Sequence, residues 1–95
     1  MGFESESKKF LDGDGHVIAE YDLVKITKQQ TIKLSTGESV FIDAHSSATV
    51  LSLLESESGL FADLEVNVDE DRFGFVTVPI GDVLFERSAD DNLNA

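Results

Sequence analysis

Hydrophobic and polar residues alternate along most of this chain, with the period of two that is typical of strands rather than the 3.6 of a helix. The clearest run is 60–69, where Ala62, Leu64, Val66 and Val68 take every second position. Most positions between them are polar, which predicts an antiparallel strand with one buried face and one solvated face. The pattern therefore predicts an all-β fold.

The same alternation predicts further strands on both sides of that run. We expect strands at 21–27 and 48–54, a hairpin with arms 31–34 and 39–44 joined at 35–38, and strands at 73–78 and 83–86. Val24 and Ile26 are expected to face the core. The segment 49–54 also fits a helix, but its β-branched start, its short length and the glycine that follows favour a strand.

Glycine, proline and charged residues mark the connections. Asp69–Arg72 predicts a polar turn between two strands. Gly74, inside a strand, indicates a bulge or the close approach of another backbone. Pro79 is expected to end that strand because it has no N–H to donate to the ladder. The segment 80–83 that follows predicts one tight turn, of the 3₁₀ type.

The N-terminal part of the chain carries its own turn signal. Asp12-Gly13-Asp14-Gly15 lies between two apolar runs, 8–11 and 16–19, which predicts a short extra hairpin. A chain of 95 residues corresponds to one domain. We expect a disordered N-terminus at 1–7, a single β-barrel domain at 8–87 and a frayed tail at 88–95. Closing the sheet into a barrel would remove most of its exposed edges.

Four short segments share a rhythm with a known fold. They are Asp22-Leu23-Val24, Thr49-Val50, Asp63-Leu64-Glu65-Val66 and Val78-Pro79-Ile80-Gly81-Asp82-Val83-Leu84. With the long excursion at 28–47, the order of elements from Tyr21 to Glu86 resembles that of small SH3-like β-barrels. More narrowly, the chain resembles compact bacterial SH3-like families of unknown function. The resemblance implies a small SH3-like antiparallel barrel, to which the N-terminal hairpin is an addition.

The resemblance implies a fold but carries no ligand with it. The basic residues of the RNA-binding relatives of this barrel are missing, and Ser46-Ser47-Ala48 stands where those relatives usually have a glycine. Peptide-binding SH3 domains dock proline helices on aromatic residues that typically include Trp. This chain has no Trp and a single Tyr, at position 21. Neither nucleic-acid binding nor proline-peptide binding is therefore expected.

Charge narrows the classes of partner. The chain has 19 acidic and 7 basic residues, a net charge of −12, and residues 49–95 alone carry 11 acids against 2 bases. Such a charge disfavours direct binding to nucleic acid or to an anionic membrane and favours a protein partner with a basic face. Disulfides and thiolate sites are excluded because there is no cysteine. That absence, with no signal-peptide pattern at 1–7 and no apolar run of membrane-spanning length, predicts a cytoplasmic location.

Residues with the potential for chemistry are few, and each has a simpler explanation. Asp12 and Asp14 suggest calcium, but the twelfth position counted from Asp12 is Leu23 rather than the Glu of an EF-hand loop. A turn is therefore favoured. Asp69–Asp71 could bind a divalent ion, although a solvated turn is the commoner explanation. No metal or cofactor is expected.

The two histidines, His16 and His45, lack the surroundings of a catalytic site. Asp43 and His45 are two residues apart and would share one face of a strand, with Ser46 next in sequence. No strained nucleophile turn or oxyanion-hole motif accompanies them. We therefore expect no catalytic residues and a protein that is not an enzyme.

The candidate partner-binding site follows from the strand at 60–69 and the turn after it. Most of the phenylalanines of the later strands, Phe61, Phe73, Phe75 and Phe85, are expected in the core, but Phe61 shares a face with Asp63 and Glu65 by alternation. Phe61 is either an exposed interface anchor or a side chain packed under the adjacent loop. The predicted site consists of Phe61, Asp63, Glu65, Asp69, Glu70 and Asp71.

Three functions fit this site. The leading hypothesis is a non-enzymatic acidic interaction module that binds a basic surface of a partner protein. A second is a phage- or plasmid-type inhibitor that imitates the charge of DNA, since Asp63 and Glu65 would lie about 6.6–7 Å apart along one face of a strand. A third is a structural accessory subunit of a larger assembly. The sequence leaves the oligomeric state open.

Overall fold

A computed structural model of the chain describes residues 10–89. It contains seven strands and one short 3₁₀ turn at Ile80–Asp82. The strands are β1 Leu23–Ile26, β2 Gln30–Leu34, β3 Ser39–Ile42, β4 Ser47–Ser56, β5 Gly59–Asn67, β6 Phe73–Pro79 and β7 Val83–Arg87. The all-β class predicted from the alternation is confirmed. Within residues 10–89 no helix is long and apolar enough to cross a membrane.

The seven strands form one antiparallel sheet that curls into a half-barrel. Their order is β3-β2-β6-β5-β4-β1-β7. The long strands β4 and β5 pair over most of their length, with a register shift between Val50 and Ser52, and β6 continues the meander. Strands β3 and β7 are the two ends of the sheet and do not pair with each other. The sheet therefore has two terminal edges.

The concave face of the sheet carries the core. Val24 and Ile26 are fully buried, as predicted, and Ala62, Leu64 and Val66 are buried at alternate positions of β5. Fourteen buried apolar side chains form this cluster: Ile18, Val24, Ile26, Ile32, Leu34, Ile42, Ala48, Val50, Ala62, Leu64, Val66, Val78, Ile80 and Val83. Each large aliphatic side chain contributes about 1.5–3 kcal/mol through the apolar surface it removes from water.

The core of the described chain contains no fully buried phenylalanine, so the expectation that most phenylalanines lie in the core is wrong. Phe10 and Phe85 pack against the edge of the core, whereas Phe41 and Phe75 are exposed. The physical reason is parity. Val76 and Val78 take the inward positions of β6 and leave the outward positions to the aromatic rings.

Three further predictions, about one strand, one turn and one glycine, are confirmed. The segment 49–54 is a strand, not a helix. The residues after Pro79 form a 3₁₀ turn. Gly74 marks a close backbone approach, because a Cβ at that position would lie 2.7 Å from the carbonyl oxygen of Lys33 in β2. No register shift occurs at Gly74, so it is not a bulge.

The N-terminal segment differs from the predicted hairpin. The chain reverses at residues 12–15, but the flanking arms share one antiparallel bridge, between Leu11 and Val17, and form no paired strands within the described residues. Two backbone hydrogen bonds flank this bridge, from the N–H of Asp12 to the carbonyl of His16 at 2.9 Å and from the N–H of Ile18 to the carbonyl of Phe10 at 2.8 Å. The turn also bonds to β7, where the N–H of Gly13 donates to the carbonyl of Val83 at 3.0 Å. The segment 1–7, predicted to be disordered, lies outside the described residues. Of the tail predicted to fray, 88–95, only residues 88 and 89 are described, and the N–H of Ala89 donates to Asp22 Oδ1 at 3.4 Å.

Candidate functional site

The six residues of the predicted site lie along one strand and the turn that follows it. Phe61, Asp63 and Glu65 take the outward positions of β5, on the opposite face from the buried Ala62 and Leu64. Asp69, Glu70 and Asp71 lie in the exposed turn between β5 and β6. The sheet therefore places the first three side chains on its outer face and the other three at one end of it.

Register determines the neighbours of the outward side chains of β5. Asp63 is opposite Thr77 of β6, whose Oγ1 donates a hydrogen bond to Asp63 Oδ1 at 2.9 Å. Phe61 is opposite Pro79 on β6 and Leu54 on β4, and is half-buried. Phe61 is thus flanked by apolar neighbours on both sides. The Thr77 hydroxyl holds Asp63 in one orientation on the surface.

An exposed aromatic ring that the sequence prediction missed lies beside these residues. Phe75 is 48 % exposed and stands directly opposite Glu65 in the β5–β6 pair. Phe73, two positions before it on the same face, meets Phe75 edge-to-face with ring centroids 5.6 Å apart. The signal was present in the sequence, because Phe73, Phe75 and the polar Thr77 share one parity in β6.

The three acidic residues of the β5–β6 turn differ in their contacts: Asp69 binds neighbouring groups of this chain, whereas the side chains of Glu70 and Asp71 are exposed. Asp69 Oδ2 accepts a hydrogen bond from Nε of Arg72 at 2.8 Å and forms an ion pair with Nη2 of the same side chain at 2.8 Å, and Asp69 Oδ1 accepts the N–H of Asp71 at 3.0 Å. The bond from Arg72 is the main reason why the pKa of Asp69 is lowered. Arg72 also reaches Glu38, in the turn between β2 and β3, at 3.3 Å. Arg72 thus joins two turns through Asp69 and Glu38, while the side chains of Glu70 and Asp71 are exposed to solvent.

The turn at 12–15 is held by the buried carboxylate of Asp12. Asp12 Oδ1 accepts the N–H groups of Asp14 at 2.9 Å and His16 at 2.8 Å, and Oδ2 accepts the N–H of Phe85 at 2.7 Å. Burial raises the pKa of Asp12, but these three backbone hydrogen bonds outweigh it and the net pKa is lowered. The turn interpretation of this motif is confirmed. Within residues 10–89 no three metal-ligating side chains converge.

The two histidines lie apart from the outer face of β5. The ring of His16 stacks on Phe85 with centroids 4.0 Å apart. His45 has a positive φ of 74° in the connection between β3 and β4. The hydroxyl of Ser46 donates to the backbone carbonyl of Asp43 at 2.7 Å, which closes that connection. The Asp43–Ser46 segment therefore has the geometry of a turn rather than of a nucleophile and its base.

A second buried carboxylate, Asp22, secures the entry to β1. It is 5 % exposed, and its Oδ2 accepts the N–H of Ala19 at 2.9 Å while Oδ1 accepts that of Ala89 at 3.4 Å. Sequence reasoning gave no role to this contact. The acidity of the chain is therefore partly structural, and only part of it is available to a partner.

Comparison with known proteins finds no matching family model, no matching curated protein and no matching solved structure. The function is therefore inferred from the geometry of this chain itself.

Proposed function

We propose that this protein is a non-enzymatic interaction module that binds a basic surface of a partner protein. The contact surface is the acidic-aromatic face, which consists of Phe61, Asp63, Glu65, Phe73 and Phe75 on the outer side of β5 and β6. The observation that carries the proposal is the half-exposed ring of Phe75 directly opposite the carboxylate of Glu65.

The chemistry of this face suits a cationic protein surface. Exposed aromatic side chains are the residues that anchor protein interfaces, and charged residues around them set specificity. A Lys or Arg of the partner would meet Glu65 and at the same time stack its aliphatic stem on Phe75. The hydrogen bond from Thr77 orients Asp63 before binding, which lowers the entropy lost when the complex forms.

The acidic turn supports the same partner in a different way. Glu70 and Asp71 are exposed, and net negative charge speeds the encounter with a basic surface. Asp69 is already engaged by Arg72, so its role is to position the turn. Of the six residues predicted from the sequence, we therefore assign direct contact to Phe61, Asp63 and Glu65, beside Phe75. Glu70 and Asp71 steer the partner electrostatically, and Asp69 sets the turn geometry.

We also propose that the fold is SH3-like. The strands assigned to the resemblance are consecutive neighbours in the order β7-β1-β4-β5-β6, and a 3₁₀ turn precedes β7. The hairpin β2–β3 fills the excursion between the first and second of these strands and pairs with β6. A cytoplasmic location remains part of the proposal.

No specific observation favours the alternatives. On β5 the carboxylate row that a DNA mimic would need is two residues long, because Phe61 and Asn67 take the outward positions on either side of it. DNA imitation and an accessory structural role therefore stay predictions of the sequence.

The experiment is affinity capture from host extract with the immobilised protein across a salt series. The expected partner is retained at low salt and released as the screening length falls from ~10 Å at 0.1 M to ~3 Å at 1 M. Glu65→Lys and Phe75→Ser should each lose it. Glu57→Lys, at the exposed tip of the β4–β5 hairpin, makes the same charge change and should retain it. If Glu57→Lys lost the partner equally, the binding would depend on the net charge of the protein rather than on this face. If no partner were retained at low salt and released at high salt, the proposal would be overturned.

A further inference from the structure

The outer edge of β3 is the second unusual surface of the molecule. In the β2–β3 hairpin, Leu34 donates its N–H to the carbonyl of Glu38, and Ser35 on the other side of β2 donates to Phe73 of β6. Hydrogen-bonding direction alternates along an antiparallel strand. Val40 and Ile42 therefore bond toward β2, and the N–H and C=O groups of Ser39 and Phe41 point away from the sheet.

Nothing in residues 10–89 satisfies these outward groups. Within residues 10–89 no backbone or side-chain hydrogen bond reaches the outer edge of Ser39 or Phe41, and the Phe41 side chain is 62 % exposed. The four residues of β3 carry no charge. Native sheets usually protect such an edge with charges, proline or a covering segment, because it can pair with another strand.

A groove runs beside this edge. Ile42, Val66 and Val68 give it apolar walls, and Asp43, Ser46 and Asn67 give it a polar rim. Its volume of about 380 Å³ is near the lower limit of ligand pockets, ~300–1,000 Å³. A space of this size suits side chains of an extended peptide that lies along β3.

We propose that the β3 edge binds an extended segment of a partner protein by strand addition. The partner's backbone would pair with Ser39 and Phe41, an apolar side chain would enter the groove, and a Lys or Arg would meet the exposed carboxylate of Asp43. Main-chain bonds supply the affinity in this mode of recognition, and the groove and charge supply the specificity. The edge is separate from the acidic-aromatic face and does not depend on it.

Charge selects this occupant over a second copy of the same chain. Two copies would bring together molecules of net charge −12 each, and such self-repulsion keeps proteins monomeric. A basic segment is attracted by the same charge. Asp43 has no ion pair among the described residues, so it can accept one from a partner.

The test uses a synthetic seven-residue peptide of alternating valine and threonine between terminal lysines, added to isotopically labelled protein and followed by NMR. We expect amide shift changes confined to β3, the 43–47 connection and residues 66–68. The same peptide with all its backbone nitrogens methylated should cause none, because neither of its edges can donate a hydrogen bond to β3. A version flanked by glutamate should bind at least tenfold more weakly.

Protein variants separate backbone pairing from side-chain contact. Phe41→Pro removes the outward N–H without losing a ladder bond to β2 and should abolish the shift changes. Phe41→Ser keeps the N–H and should retain weakened binding. The proposal is overturned if the methylated peptide binds equally well, if the shifts map elsewhere, or if sedimentation shows β3 already paired in a dimer of this chain that Phe41→Pro dissociates.

Discussion

The two terminal edges of the sheet differ in whether their outward backbone groups have hydrogen-bond partners. At β7 the outward groups of Val83 and Phe85 bond to Gly13 and to the carboxylate of Asp12, so the N-terminal turn covers that edge. At β3 the outward groups of Ser39 and Phe41 meet no partner within residues 10–89. The buried carboxylate of Asp12 therefore closes the β7 edge, whereas the β3 edge stays open to pairing with a strand from another molecule.

The closed edge at β7 also gives Asp12 a second role, beyond the turn to which the sequence assigned it. Asp12 spans from its own turn to a strand 73 residues further along the chain. An uncovered edge strand is a template for association. The turn at 12–15 therefore stabilises the fold and also prevents association of the protein through the edge of β7.

Removal of the Asp12 carboxylate should have the largest effect. Asp12→Ala leaves three backbone N–H groups without their acceptor, and hydrogen bonds to a charged group contribute about 1.5–3 kcal/mol each before solvent replaces part of the loss. We expect the free energy of unfolding to fall by about 3 kcal/mol, measured by urea denaturation. The outward groups of β7 should also become available for association, which gel filtration at increasing concentration would detect.

The matched control for this variant is Asp14→Ala, which removes the other, exposed aspartate of the same turn. It makes the same charge change and should leave both the stability and the elution volume close to those of the parent protein. Equal effects of the two variants would show that charge, rather than the three hydrogen bonds, is responsible.

A methyl group at Gly74 should loosen the open side of the sheet. The added Cβ would lie 2.7 Å from the carbonyl oxygen of Lys33 and 3.2 Å from side-chain atoms of Ile32 and Leu34. Overpacking of this kind costs roughly 1–3 kcal/mol. Gly81→Ala, where the new Cβ meets nothing within 4 Å, is the control and should change the unfolding midpoint little.

Acid should weaken the closed edge selectively. The folded-state pKa of Asp12 lies below its ordinary value of 3.8, so its contribution is complete above that value and disappears as the pH falls through the folded-state pKa. The stability difference between the parent protein and Asp12→Asn should therefore be constant near neutral pH and shrink in this acidic range. A difference that does not change with pH would contradict the role of the ionised carboxylate.

The smallest effect is expected for Arg72→Gln. The guanidinium links Asp69 to Glu38 and so joins the β5–β6 turn to the hairpin that carries the open edge. Solvent screens exposed ion pairs of this kind, so the thermal midpoint should fall only slightly, and less at high salt. Arg87→Gln is the control for the loss of one positive charge. A loss of cooperative unfolding in Arg72→Gln would contradict this assessment.

The fold class was predictable because the signal was local. Alternation, β-branched residues and turn residues together identified all seven strands, and alternation identified the inward positions of β5, since these signals depend on the chemistry of consecutive residues. The strand order was not predictable, because the pairing of β2 with β6 depends on the close approach at Gly74. The position of Gly74 hinted at that approach, but not at its partner, Lys33.

The candidate site was predictable in its position but not in its division of roles. Parity placed Asp63 and Glu65 on the outer face correctly. It could not show that Asp69 is engaged by Arg72 or that Asp12 reaches Phe85, because these contacts depend on side-chain geometry between distant segments. Phe75 was missed because aromatic residues were assumed to be buried, although its parity matched that of Thr77.

The difference between the two edges is tested most directly by amide hydrogen exchange at Phe41 and Phe85. Both amides belong to phenylalanines that follow an aliphatic residue, so their intrinsic exchange rates are similar. We expect the Phe85 amide, bonded to Asp12, to exchange at least about tenfold more slowly than the outward Phe41 amide. The two rates should become equal in Asp12→Ala. Equal protection of the two amides in the parent protein would contradict the account.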